Sequence, residues 1–144
     1  MATGAFIGAK VAILHGGGVV TILRDDLPGL DWAGYWDLPG GGREGGETPE
    51  DCVLREVREE LGLMLVPEAL GWGQAFEGPR GVGWFFVAEL ARFDARAVRF
   101  GGEGQGWRLA PVEWFLSEAR AVPFLVERLG IYLAEKADSE AESG

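Results

Sequence analysis

Between residues 41 and 63 the chain reads Gly-Gly-Arg-Glu-Gly-Gly-Glu-Thr-Pro-Glu-Asp-Cys-Val-Leu-Arg-Glu-Val-Arg-Glu-Glu-Leu-Gly-Leu. Few conformations suit that segment. Thr48 is a good helix N-cap, Pro49 suits the first helical position, and Glu50 with Asp51 complements the positive end. Gly62 is placed to stop the helix as a left-handed cap. Val53, Leu54, Val57 and Leu61 recur at helical spacing and form one apolar stripe. A helix over residues 49–61, entered from a glycine-rich turn, is therefore predicted.

On that helix Glu56, Glu59 and Glu60 are three and four residues apart, so their carboxylates share one face. Three neighbouring negative charges repel unless something neutralises them. The plain reading is a solvated acidic face laced with Arg55 and Arg58. The glycine turn leading straight into the helix, and the apolar stripe on its opposite side, favour a cation site instead. Mg2+ binds a few carboxylates together with substrate phosphates.

Gly41, Glu47, Arg55, Glu56, Glu59, Glu60 and Gly62 fit the spacing G-x5-E-x7-R-E-U-x-E-E-x-G-U, with Val57 and Leu63 at the aliphatic positions U. Trp36-Asp37-Leu38-Pro39-Gly40 leads into it. The run resembles the Nudix box, and the chain resembles the Nudix hydrolases. The resemblance implies an α/β fold, an α/β/α sandwich around a mixed β-sheet, and substitution by water at phosphorus in a nucleoside diphosphate derivative. It also implies metal ligation by Glu56, Glu59, Glu60 and the carbonyl of Gly41, with Mg2+ as cofactor and Mn2+ as a substitute. Glu56 is the candidate base and Glu59 its rival. Arg55 either orients Glu56 or braces the loop by pairing with Glu47. In MutT-type members a glutamate in a similar Glu-Gly-Gln loop adds a metal contact; Glu103, followed by Trp107, occupies that place. Cys52 reads as a packing residue, since hard Mg2+ gives a thiolate no advantage.

Candidates for substrate binding are less sharply marked. Gly40 and Gly41 adjoin the expected phosphate site. Arg24 ends a strand and suits phosphate, because a guanidinium fork matches phosphate oxygens; an exposed surface arginine is the competing reading. Trp32, Tyr35, Trp84 and Phe86 are aromatic candidates for stacking a base. Strand alternation puts Trp84 and Phe86 on one face and Phe85 and Val87 on the other, one pair being core. His15 reads as a surface residue beside a turn. MutT-type enzymes read a purine with an asparagine before the last helix, whereas this chain has Ala121-Val122-Pro123 there and no asparagine anywhere.

The rest of the chain reads as strands over residues 6–14 and 19–23, a loop over 25–35, and a short extended piece at 36–38 stopped by Pro39 and three glycines. Strands over 63–76 and 83–90, a glycine loop at 101–106, a strand at 107–109, a helical turn at 111–117 and a helix over 122–136 follow. Residues 1–136 are expected to form a single domain, and the acidic residues 137–144 a disordered tail.

The formal charge of −10 argues against stable nucleic-acid binding, which rests on basic surface, yet allows a nucleotide collected through Mg2+. No stretch approaches the roughly 18 apolar residues of a membrane span. The start has no signal-peptide pattern, and a single cysteine fits a reducing cytoplasm. The expected substrate is a ribo- or deoxyribonucleoside triphosphate cut to monophosphate and pyrophosphate. Alternatives are a nucleotide sugar, a dinucleoside polyphosphate, or a Nudix module that senses a nucleotide without cutting it. A monomer and a homodimer are both compatible with the sequence.

Overall fold

In a computed structural model, which describes residues 4–143, one mixed sheet is covered by helices on both faces. Strands β1 (Gly8–His15) and β2 (Gly18–Leu23) form a hairpin around Gly16 and Gly17. The short strand β3 (Trp36–Asp37) pairs with the end of β2, and β4 (Gly40–Gly42) pairs antiparallel with the start of β1. Helix α1 (Pro49–Leu61) follows. Strands β5 (Trp72–Gly78) and β6 (Gly81–Glu89) make a second hairpin, and β6 lies parallel to β1. Strand β7 (Gly106–Pro111) runs antiparallel along β2 and leads into α2 (Val112–Ser117) and α3 (Pro123–Ser143). No helix among the described residues is long and apolar enough to cross a membrane.

Side-chain alternation splits the core into two layers. Ala9, Val11 and Ile13 of β1, with Phe86 and Ala88 of β6, meet Cys52, Val53, Val57 and Leu61 of α1. Ala12, Phe85 and Val87 face the other way and meet Phe115, Leu125, Leu129 and Tyr132 from α2 and α3. Val53, Val57 and Leu61 are completely buried; each such side chain contributes about 1.5–3 kcal/mol. That burial presses one side of α1 onto the sheet and turns the other outward. Thr48 accepts the Asp51 N–H at 3.1 Å, and Gly62 closes the helix at φ 67°.

Four segments differ from the sequence expectation. Gly40–Gly42 does not stop an extended piece but is itself a strand. Residues 63–71 carry no strand; Pro67 instead starts a short 3-10 turn (Pro67–Ala69), as its fixed φ favours. Trp84 and Phe86 alternate with Phe85 and Val87 as expected, but the core is not one pair alone, because both faces of β6 are packed. Residues 137–143, expected to be disordered, continue α3. Ala134, Glu135, Lys136, Ala137 and Ala141 are strong helix formers that extend a helix already docked through Leu125 and Leu129. Gly144 lies outside the described residues.

Candidate active site

The outward side of α1 faces the turn through β4, and Arg55 gathers the two together. Its Nε and Nη2 reach the two oxygens of Glu47 at 2.7 and 3.1 Å, and Nη2 also donates to the Gly42 carbonyl at 2.9 Å. Nη1 donates to Glu56 and to Glu59, each at 3.0 Å, and lies 3.2 Å from Glu44. The guanidinium therefore spans both alternatives, bracing the loop and orienting Glu56. Pairing with Glu47 first, then Glu56, raises the Arg55 pKa further, while Glu47 is held below the usual carboxylate range by Arg55.

Gly41 makes the approach of β4 to the helix possible. A Cβ at this position would stand 2.6 Å from the carboxyl carbon of Glu56. The Gly41 carbonyl accepts a weak hydrogen bond from the Cys52 thiol at 3.6 Å. Gly40 donates its N–H to Oε1 of Glu60 at 2.8 Å. Burial raises the Glu60 pKa to about 7, against the opposing charge of Lys10. Burial also raises Glu56, partly offset by Arg55.

Glu56, Glu59 and Glu60 share a hollow of about 200 Å³ with Gly101 and Glu103. Glu60 and Glu103 also border a second hollow of about 320 Å³, completed by Ile22, Arg24, Asp25, Leu30, Asp37, Leu38 and Gly104. The carboxylates thus stand at the junction of a polar recess and a cleft with an apolar wall. The loop carrying Glu103 is fixed by its neighbours: Gly101 donates to the Glu60 carbonyl at 2.8 Å, Gly104 to Asp25 at 3.2 Å, and the Gln105 amide to the Arg24 carbonyl at 2.9 Å.

No group of three His, Cys, Asp or Glu side chains among the described residues already stands in metal-holding geometry. The donor chemistry nevertheless fits a hard divalent cation: the recess offers carboxylate oxygens and backbone, with neither imidazole nor accessible thiol.

The structure brings together Gly40, Gly41, Arg55, Glu56, Glu59, Glu60 and Glu103, and puts Arg24 on the adjoining cleft. It does not bring Trp84 or Phe86 there. Their rings stack on each other at 5.7 Å, and Phe86 is buried in the layer beneath α1. Trp32 and Tyr35 pack edge to face on the loop between β2 and β3, from which Leu30 lines the cleft. His15 hydrogen-bonds the Leu90 carbonyl and does not line the cleft. Ala121 and Val122 are buried beside Trp36 and read nothing. Sequence reasoning missed Lys10 and Asp37. Asp37 accepts from Lys10 at 3.1 Å and from Arg24 at 2.8 Å. A lysine inside an otherwise apolar strand was the signal that could have found them.

The family described as NUDIX domain matches residues 7–127. An 8-oxo-dGTP diphosphatase of Haemophilus influenzae is 35% identical over 83 residues, which make up 58% of this chain and 60% of that relative, so the chain spans less than two thirds of its length. An RNA pyrophosphohydrolase of Acidiphilium cryptum is 35% identical over 125 residues, 76% of this chain and 72% of the relative. Among solved structures, a MutT protein from Methanosarcina mazei superposes with a TM-score of 0.72 at 23% identity, over 90% of this chain and 94% of that one, which shows a common fold. With the family's domain covering the sheet, α1 and the carboxylate recess, the chain belongs to the Nudix family.

Proposed function

We propose that the chain hydrolyses a diphosphate linkage in a nucleoside diphosphate derivative with the help of Mg2+ or Mn2+, and that its best substrate is a nucleoside triphosphate cut to monophosphate and pyrophosphate. The observation that carries this reading is the meeting of Glu56, Glu59, Glu60 and Glu103 in one recess, from which Glu60 and Glu103 also border a cleft of about 320 Å³. The diphosphatase and pyrophosphohydrolase relatives support the reaction class. These four carboxylates, with the Gly41 carbonyl, are the residues that would hold the cation. A bound divalent cation supplies charge neutralisation and Lewis acidity at the phosphate oxygens.

Glu56 is the residue assigned to orient the attacking water and accept its proton. Arg55 engages its Oε2, which leaves Oε1 for the water. Burial makes it a better proton acceptor than a fully solvated glutamate. Glu59 is half exposed and held by Arg55 alone, so it is less well fixed for the same task. Ile22, Leu30 and Leu38 give the cleft an apolar wall suited to a nucleobase. Arg24 spends Nε on the Asp31 carbonyl and Nη1 on Asp37, which leaves Nη2 for a substrate oxygen. The RNA substrate of the Acidiphilium relative is not carried over, because a net charge of −10 offers no basic track for a polynucleotide.

The test is a panel of nucleoside triphosphates, a nucleotide sugar and a dinucleoside polyphosphate with Mg2+ or Mn2+, scoring phosphate and pyrophosphate separately. Monophosphate and pyrophosphate from at least one triphosphate are expected. Turnover confined to the nucleotide sugar or the dinucleoside polyphosphate would replace the triphosphate reading, and tight binding without any turnover would leave a sensing module.

A further inference from the structure

We propose that Lys10 is a positioning residue for the cation-holding carboxylates, acting through the turn between β3 and β4. The inference rests on the reading of the recess as a divalent-cation site. Lys10 is one of only two lysines in the chain. Its ammonium carries three donors, and all three find acceptors at 3.1 Å: Oδ2 of Asp37, the Leu38 carbonyl and the Gly40 carbonyl. Every acceptor lies within the four residues from Asp37 to Gly40, where β3 passes into β4. From the same residues, Gly40 directs its N–H onto Glu60, and the next residue, Gly41, packs against the Glu56 carboxyl.

The pair with Asp37 is not an ordinary surface ion pair. The Asp37 side chain is only 9% exposed and that of Lys10 21%, so both charges are largely withdrawn from water. Asp37 is further tied to Arg24, and Arg24 to the Asp31 carbonyl, so one network joins the turn to the loop bordering the cleft. An ammonium with three fixed acceptors holds the Leu38–Pro39 and Gly40–Gly41 peptides, and these flank the Pro39–Gly40 peptide whose N–H points at Glu60. Outer residues that orient cation-holding groups typically cost about 10- to 100-fold in affinity or activity when lost. A pair that merely stabilised the fold would lower Tm and leave cation affinity alone.

The experiment titrates Mn2+ alone, without nucleotide, into the full chain and follows free Mn2+ by electron paramagnetic resonance. The variants are Lys10→Met, Lys10→Arg and, as a control at the far helix, Lys136→Met; circular dichroism checks folding at the titration temperature. Lys10→Met is expected to weaken Mn2+ binding about 10-fold, Lys10→Arg to recover most of the loss, and Lys136→Met to match the unchanged protein. A folded Lys10→Met variant that binds Mn2+ as tightly as the unchanged protein, or more tightly, overturns the proposal. If Lys10→Met does not fold, Lys10→Gln, which keeps two side-chain N–H donors but no charge, is judged by the same two outcomes. An unchanged protein that binds no Mn2+ removes the cation reading and this inference with it, whereas equal binding by the unchanged protein and Lys10→Met removes this inference alone.

Discussion

Replacing Gly41 by alanine separates the placement of one carboxylate from the stability of the fold. The backbone at Gly41 is outside the left-handed region, so alanine suits it. The added Cβ would meet the carboxyl carbon of Glu56 at 2.6 Å and both carboxyl oxygens at 2.7 Å, and ordinary contact begins near 3.4 Å. The carboxyl must therefore retreat by about 0.8 Å, a shift on the scale of the 1 Å misplacement that can cost about 100-fold in rate. At about 1.4 kcal/mol per factor of ten, that loss is about 2.7 kcal/mol of transition-state stabilisation. The folding cost is far smaller, because the group that gives way is the end of a flexible side chain rather than backbone. The assay is steady-state hydrolysis of the best nucleotide in the panel, beside a thermal melt. The expected result is a kcat reduced about 100-fold with Tm lowered by no more than about 4 °C, the shift of a loss near 1 kcal/mol or less. Gly40→Ala is the contrasting variant: its φ of 135° and the clash of a Cβ with the Ala9 carbonyl should cost the fold itself. A folded Gly41→Ala enzyme with kcat within threefold of the unchanged protein would refute the assignment of Glu56.

Other consequences are simpler to state. Glu60→Gln keeps the shape of the side chain but removes the charge offered to a cation, and should lower kcat by more than about 100-fold; an unchanged kcat would count against the site. Glu89 is held below the usual carboxylate range by Lys136 and then Tyr132, which both hydrogen-bond it. A depressed folded pKa means that its contribution is complete above the unfolded value of about 4.3 and is lost as pH falls through the folded value. The Tm gap between the unchanged protein and Glu89→Gln should therefore be open at pH 7 and close towards pH 3; a gap that persists in acid would contradict the sign. Burial pushes the Cys52 thiol up to about 11, and its side chain is fully enclosed. Ellman's reagent at pH 8 should label it only after unfolding, and rapid labelling of the native chain would show that α1 does not pack as described.

What was legible in the sequence was local. The signals that define α1 lie within a turn of where they act: Thr48 caps three residues ahead, Gly62 closes onto Arg58, and the apolar stripe repeats at helical spacing. The shared face of Glu56, Glu59 and Glu60 follows from the same period. Glu103 was legible through its resemblance to the Glu-Gly-Gln loop of MutT-type members, and the structure puts it beside the carboxylates of α1. Glycines on both sides of it let the loop pass close to the end of α1, where Gly101 leaves no room for a Cβ beside the Glu59 carbonyl.

The parts that stayed hidden depend on partners far away in the chain. Gly40–Gly42 has the composition of a turn, and only pairing with residues 8–10 makes it a strand. Trp84 and Phe86 look like base-stacking residues by type. Phe86 is core and Trp84 packs half-buried against the same layer because α1 covers that face of β6, a fact of layer order that no residue in the strand states. Lys10 and Asp37 are 27 positions apart and belong to strands that do not pair with each other. Each taken singly is a charge in an awkward place. Their meaning comes from a third element, because β4 lays the Gly40 carbonyl beside Lys10 and the Gly40 N–H beside Glu60 at once. One residue thus meets the Lys10 ammonium through its carbonyl and an α1 carboxylate through its N–H. The run from Gly41 to Leu63 specifies the acids, and a lysine outside it, reached only through tertiary pairing, holds the turn against which those acids are set.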